Sequence, residues 1–308
     1  MTSYVDLTRR PLLRRVAWRI ITNRRINKAL IPILEYLPPS DTVAKIPVVG
    51  RTAILTLSDG STIKLLEPDR CHIAKELFWG RGKLHSAADR LALETAIALS
   101  AHADLFLDIG SYTGLFAIAV AQSNPKLLSY AYEIVPDNFL LLWRNVIAND
   151  LVARVAPQLI GLGDEKTEIR IPDSFGAGTL ASSVALDAGE NTGVKIPVER
   201  LDDQHASFSG RAVFKIDVET FEWQVLSGGQ NFIARNRPDI ICEVLRRATK
   251  IPEIQALLSE YGYRIFHCTS SGLRLSGSIV PTVAERDWLF TTRTPTELSA
   301  LGISLAAQ

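Results

Sequence analysis

From residue 87 onward the chain alternates short apolar runs with longer stretches in which apolar residues return every three or four positions. Apolar runs without polar alternation predict strands covered on both faces, and the periodic stretches predict the helices that cover them. Strands are expected at 105–109, 127–132, 152–162, 211–217 and 239–243, with 263–268 and 288–292 closing the sheet. Helices are expected at 87–100, from 115 onward, at 136–149 with Pro136 in the first turn, and over about 221–235. Two further strands, 166–171 and 193–198, flank a loop of small residues at 176–183. Alternation of this kind predicts an α/β fold with a parallel sheet wound by helices.

The first 87 residues follow a different pattern. Leu13, Val16, Ala17, Ile20 and Ile21 recur at helical spacing, and Pro38-Pro39 ends that segment. The runs 53–57 and 61–66 flank Asp59-Gly60, which predicts a β-hairpin. A basic loop, 80–85, follows; its His85 is a possible contact but reads more simply as exposed loop surface. The chain thus divides into a helical arm (1–40), a hairpin and loop pre-domain (41–87) and an α/β domain (88–308).

Charge sharpens this division. Net charge is +1, yet residues 1–28 hold eight Lys/Arg against one acid, leaving the remainder at −6. A basic amphipathic arm suits an anionic membrane surface or an acidic partner, or packing on its own domain or a second copy. The acidic remainder, lacking a basic stripe with interleaved aromatics, argues against nucleic acid. No apolar run reaches the ~18 residues of a membrane span. Three scattered cysteines, Cys71, Cys242 and Cys268, suggest neither a disulfide framework nor a zinc site, so a reducing cytoplasmic setting is expected.

The chemistry gathers around residues 105–114, LFLDIGSYTG. A P-loop would need Gly-Lys-Ser/Thr, and a dinucleotide fingerprint would need a glycine where Tyr112 stands. What remains is an acid, Asp108, ending a strand before the turn Gly110, Ser111, Tyr112, Thr113, Gly114, the candidate cofactor contact. An acid suits a cationic ligand better than a pyrophosphate, and S-adenosylmethionine is cationic and free of phosphate. Glu133 ends the next strand, where an acid can accept bonds from both ribose hydroxyls. Asp217 and Glu243 end two more strands, so four acids are expected along one rim, where ligands of open parallel sheets bind.

The ordered set LFLDIGSYTG, YEIVPDN followed by Asn145, the LDD at 201–203, VFKIDVETFEWQVLSGG and PDIICEV resembles the FkbM-type class I S-adenosylmethionine-dependent methyltransferases over residues 88–292. The resemblance implies a Rossmann-like seven-stranded sheet, here with an N-terminal helical and hairpin extension, and methyl transfer to a hydroxyl oxygen of a sugar, glycolipid or small metabolite. It assigns Asp108, Gly110 and Gly114 to the methionine end of the cofactor, Glu133 to the ribose, and the Gly161, Leu162, Asp164 segment to the adenine. Asp217 faces the acceptor as candidate base, with Lys215, Glu219 and Glu243 orienting it or the substrate. Two departures stand out: Ile134 where the family often has proline, and Thr220 where it usually has glycine. Asp217 and Glu219 alone fall short of a metal site. A nicotinamide-dependent oxidoreductase, opposed by Tyr112 and by the lack of a Tyr-x-x-x-Lys arrangement, and a non-catalytic membrane-surface or assembly protein are the alternatives.

Overall fold

The computed structural model describes residue 20 and residues 22–34, 46–84, 86–172 and 193–307. The arm up to residue 19, His85 and the loop 176–183 lie outside the described residues. In chain order the elements begin with α1 (Arg24–Leu34), the hairpin β1 (Thr52–Thr56) and β2 (Thr62–Leu66), α2 (His72–Trp79) and α3 (Ala87–Ser100). The sheet domain continues with β3 (Leu105–Ile109), α4 (Leu115–Ser123), β4 (Leu128–Tyr132), α5 (Pro136–Ala148), β5 (Val155–Gln158), β6 (Gly161–Gly163), β7 (Thr167–Ile171) and β8 (Val194–Arg200). A short turn α6 (Leu201–Gln204) leads to β9 (Ala212–Ile216), α7 (Glu222–Ser227), α8 (Gln230–Asn236), β10 (Asp239–Glu243) and α9 (Ile251–Glu260). The chain closes with β11 (Arg264–Thr269), β12 (Gly272–Ser276), β13 (Asp287–Thr291) and α10 (Pro295–Ala300). No helix among the described residues is long and apolar enough to cross a membrane.

The large sheet runs β5-β4-β3-β9-β10-β13-β11-β12. Strands β5 through β10 are mutually parallel, and β13 runs antiparallel to both of its neighbours. Seven of the strands give the Rossmann-like class I methyltransferase arrangement; β12 is an eighth, added at the edge by a hairpin with β11. Every residue of β3, β9, β10 and β13 is buried, as a doubly covered sheet demands. Leu107, Phe214, Ile240 and Phe290 face α7, α8 and α9, whereas Phe106, Val213, Ile241 and Leu289 face α3.

Three local outcomes differ from the sequence pattern. The expected strand 152–162 breaks after Gln158: β6 leaves the large sheet and pairs with β8 in a three-stranded sheet of its own. A Cβ at Gly163 would stand 2.9 Å from Val198, so glycine is what permits that close pairing. The expected helix 221–235 is two helices, because a Cβ at Gly228 would lie 1.9 Å from the Gly163 carbonyl oxygen. Asp202 of the LDD segment restarts the helix: its carboxylate accepts from the Asn231 and Phe232 amides at 3.2 and 2.8 Å. Finally, residues 72–79, unassigned by pattern, form α2, with the Cys71 thiol accepting from the Ala74 amide at its start.

The hairpin and α2 share an apolar cluster with α4 and α5, including Leu55, Ile63, Leu65, Leu77, Ile118 and Leu142. Polar bonds fix the register of this union. Asn145, fully buried on α5, accepts from the Leu66 amide at 2.7 Å and donates to the Thr113 carbonyl at 2.9 Å. Asn149 both accepts from and donates to the Lys64 backbone at 2.7 Å. The hairpin edge is thereby satisfied by side chains and tied to the turn after β3.

Candidate active site

Strand periodicity determines which charges meet. Asp108 pairs in register with Lys215, and Glu243 with Asp287. All four alternate with the inward residues of the α3 face, so they stand on one side of the sheet, at the edge where the parallel strands end. The antiparallel β13 begins at that edge, and this is how its first residue, Asp287, joins the group.

On one half of the rim are Asp108 and Glu133, 2% and 6% exposed. Asp108 Oδ2 accepts from the Ala117 amide at 2.9 Å, in the first turn of α4. Burial pushes its carboxyl up to about 7, against the pull of the Ala117 amide and the Lys215 charge. Glu133 takes both the Ile134 and Val135 amides on one oxygen, Oε1, at 2.8 and 2.7 Å. Burial pushes Glu133 up to about 8, and Asp108 adds repulsion while the amides oppose it. The intervening turn is held in left-handed conformations at Gly110, Tyr112 and Gly114 (φ 80°, 51° and 86°). Gly110 is obligatory, since a Cβ there would sit 1.8 Å from the Asp217 carbonyl oxygen. Thr113 and Tyr112 are gripped from the pre-domain: Cys71 Sγ lies 3.0 Å from Thr113 Oγ1, and the His72 amide donates to the Tyr112 hydroxyl at 3.2 Å. Ser111 donates its hydroxyl to the Tyr132 carbonyl at 3.2 Å.

Of the third cofactor segment, Gly161 lies beside Ile134, the residue after Glu133. Leu162 is buried in the core cluster under β3 and β9, and Asp164 is exposed, its backbone against Gly228.

On the other half of the rim the acids have partners. Lys215, its side chain 4% exposed, places Nζ 3.1 Å from Asp287 Oδ1 and 3.7 Å from Asp217 Oδ2, with the Phe116 ring centroid at 5.4 Å. Burial alone would depress this ammonium, but Asp287, Asp217 and Glu243 outweigh it and hold it firmly protonated. Arg286 pairs with Glu243 at 3.1 Å and Arg247 with Glu219 at 2.5 Å. Oxygens of Asp217, Glu219 and Glu243 all lie within 4.8 Å of one another, a set that could hold a hard cation, although each acid already faces a side-chain cation. Burial and the adjacent Asp217 charge raise Glu243 well above the ordinary carboxylate range, so Glu243 keeps its proton at neutral pH and shares it with Asp217. Glu222, 1% exposed, accepts the Thr220 amide at 2.8 Å and is pushed up to about 7 by burial. Glu219 and Thr220 both carry positive φ, 54° and 93°, a strained turn where a glycine would relax.

All four acids named from the sequence converge, and Lys215 and Glu219 join them. Asp287, Arg286 and Arg247 were missed. Asp287 sits one residue before the expected start of its strand, and the rule of looking at strand carboxyl ends passes over an antiparallel strand's beginning. Two open depressions, of about 670 and 430 Å³, lie elsewhere, lined by residues such as Arg200 and Asn231 or Asp104 and Gln204, and neither includes a rim acid.

The profile of the Methyltransferase FkbM domain matches residues 108–265, just over half of the chain. Comparison with curated proteins gives no significant match. Among solved structures, the chain is similar to methyltransferase FkbM from Methylobacillus flagellatus KT, at 14% identity, 85% coverage of this chain, 59% of that one and a TM-score of 0.42. It is also similar to a precorrin-6y C5,15-methyltransferase from Geobacter metallireducens GS-15 (10% identity, 65% of this chain, 88% of that one, TM-score 0.35). An O-methyltransferase family protein from Burkholderia thailandensis follows (8% identity, 67% and 59%, TM-score 0.37). The chain thus spans less than two thirds of the first of these. On the match that begins at Asp108 and runs through the whole acidic rim, the chain belongs to the FkbM methyltransferase family.

Proposed function

We propose that the rim binds S-adenosylmethionine and that the protein methylates a hydroxyl oxygen of a small acceptor, a carbohydrate, glycolipid or other hydroxylated metabolite. The observation that carries this reading is the asymmetry of the rim: Asp108 and Glu133 are buried and raised, with no ion pair to any described residue, while the acids beside them are paired. Buried carboxylates in that state fit a ligand bringing positive charge and hydroxyl donors. When bound, S-adenosylmethionine supplies a methyl group on a positively charged sulfur. Asp108 and the turn Gly110 to Gly114 would hold its amino-acid end, Glu133 its ribose, and Gly161 with its neighbours its adenine.

The chain's own contribution is alignment and proton management. Alignment of two reactants is worth on the order of 7–11 kcal/mol. Asp217, 39% exposed and within reach of an acceptor, takes the hydroxyl proton at its carboxylate, while Glu243 keeps its own proton. A positioned base contributes ~10²–10⁴-fold. The basic segment 1–28 we read as a contact for an anionic membrane or an acidic partner, facing the cytoplasm; binding to vesicles with and without anionic lipid tests it. A labelled-methyl transfer assay across fractionated glycans, lipids and metabolites tests the main reading. Label in a hydroxylated acceptor is expected; a protein that fails to bind the methyl donor contradicts it.

A further inference from the structure

The Lys215–Asp287 pair has no role yet in the chemistry, although both side chains are almost completely buried at the centre of the rim. Burying an ion pair is costly, and a hydrophobic pair of similar size would often serve stability as well or better. The pair therefore points to a task. Its position supplies one: Lys215 Nζ stands between Asp287 at 3.1 Å and Asp217 at 3.7 Å, and Asp287 is the direct cross-strand neighbour of Glu243.

We propose that Asp287 is a positioning residue: it anchors the Lys215 ammonium, and the anchored ammonium determines that the proton shared by Asp217 and Glu243 resides on Glu243, leaving Asp217 as the open base. This rests on the methyl-transfer reading for its purpose, but the electrostatic arrangement stands without it. The charges facing Glu243 come from every neighbouring element. Asp217 and Lys215 lie on the β9 side, with Glu219 and Glu222 in the following turn and helix. Arg286 and Asp287 lie on the β13 side, where Asp89 of α3 also faces them. Asp287 and Asp217 favour the protonated Glu243, and Lys215 opposes them. Without Asp287 the ammonium loses its nearer anchor, and its charge is left to Asp217, the very group that has to accept a proton.

The test follows the Glu243 proton directly, in the full-length protein without any ligand. Glutamate labelled at the side-chain carboxyl carbon is titrated by NMR, with the Glu243 signal identified by its loss in Glu243→Gln. The near-isosteric Asp287→Asn is expected to lower the Glu243 midpoint by roughly one pH unit, since a like charge is removed. Lys215→Met is expected to raise it. An unmoved midpoint in Asp287→Asn, or shifts of the same sign in both variants, overturns the proposal. Should Lys215→Met not fold, Asp287→Asn decides alone. Adding S-adenosylmethionine to the wild type then examines the parent reading separately: a midpoint unaffected by the nucleoside counts against the methyl-donor site, not against the role of Asp287.

Discussion

The two halves of the acidic rim treat carboxylates in opposite ways. Asp108 and Glu133 are held by backbone amides alone, and burial lifts them to about 7 and 8. Asp217, Glu219, Glu243 and Asp287 instead sit among Lys215, Arg247 and Arg286. The first half is incomplete in charge and is satisfied by an incoming cation. The second half is internally balanced and is arranged to move a proton. Binding and chemistry are thus separated along one sheet edge by nothing more than which strand ends carry a nearby basic side chain.

The contrast is broken most severely on the proton side. Asp217→Asn is expected to cut turnover by ~10²–10⁴-fold while leaving affinity for S-adenosylhomocysteine within about twofold. Steady-state kinetics beside calorimetry would show it, and equal losses in both would assign Asp217 to binding instead. On the binding side, Glu133→Ala removes charged hydrogen-bond acceptors worth about 1.5–3 kcal/mol, hence roughly 10–100-fold in dissociation constant. An unaltered dissociation constant would remove Glu133 from the cofactor site.

A third difference is visible without any ligand. Because Asp108 and Glu133 titrate higher in the folded than in the unfolded chain, the native state holds extra protons. Their contribution is complete below the unfolded carboxylate values and is lost as pH rises through about 7 and 8. Over that interval each group costs on the order of 1.4 kcal/mol per pH unit. Urea midpoints should therefore fall between mildly acidic and mildly alkaline pH, less so in Glu133→Gln; a flat profile would contradict the unpaired burial of these acids.

The smallest expected effect concerns the turn beneath the acceptor. Thr220→Gly should raise stability by about 1 kcal/mol, since φ 93° strains threonine and not glycine. Thermal unfolding would check it, and destabilisation would mean that the threonine side chain makes a compensating contact.

Much of this architecture could be read from residue order because parallel strands announce themselves as apolar runs and their ends are marked by acids. Asp108, Glu133, Asp217 and Glu243 were found in this way. Asp287 was not, since β13 presents its beginning to the rim, so the informative residue precedes the apolar run Trp288-Leu289-Phe290. Gly228-Gly229 was legible as composition but not as a helix break, because the Gly163 carbonyl that forces it comes from a strand 65 residues earlier. Likewise the LDD segment and Asn145 carry no visible purpose in one dimension. In the fold Asp202 caps α8, and Asn145 ties the hairpin to the cofactor turn. What sequence conceals here is partnership across long separations.

The central claim is that unpaired carboxylates at the ends of β3 and β4 form a site for a cationic methyl donor. Parallel calorimetric titrations of the full-length protein with S-adenosylmethionine and with NAD test it most directly. The account predicts saturable binding of S-adenosylmethionine that weakens in Glu133→Ala, and none of NAD. Binding of NAD in its place, or of neither nucleotide, would contradict it.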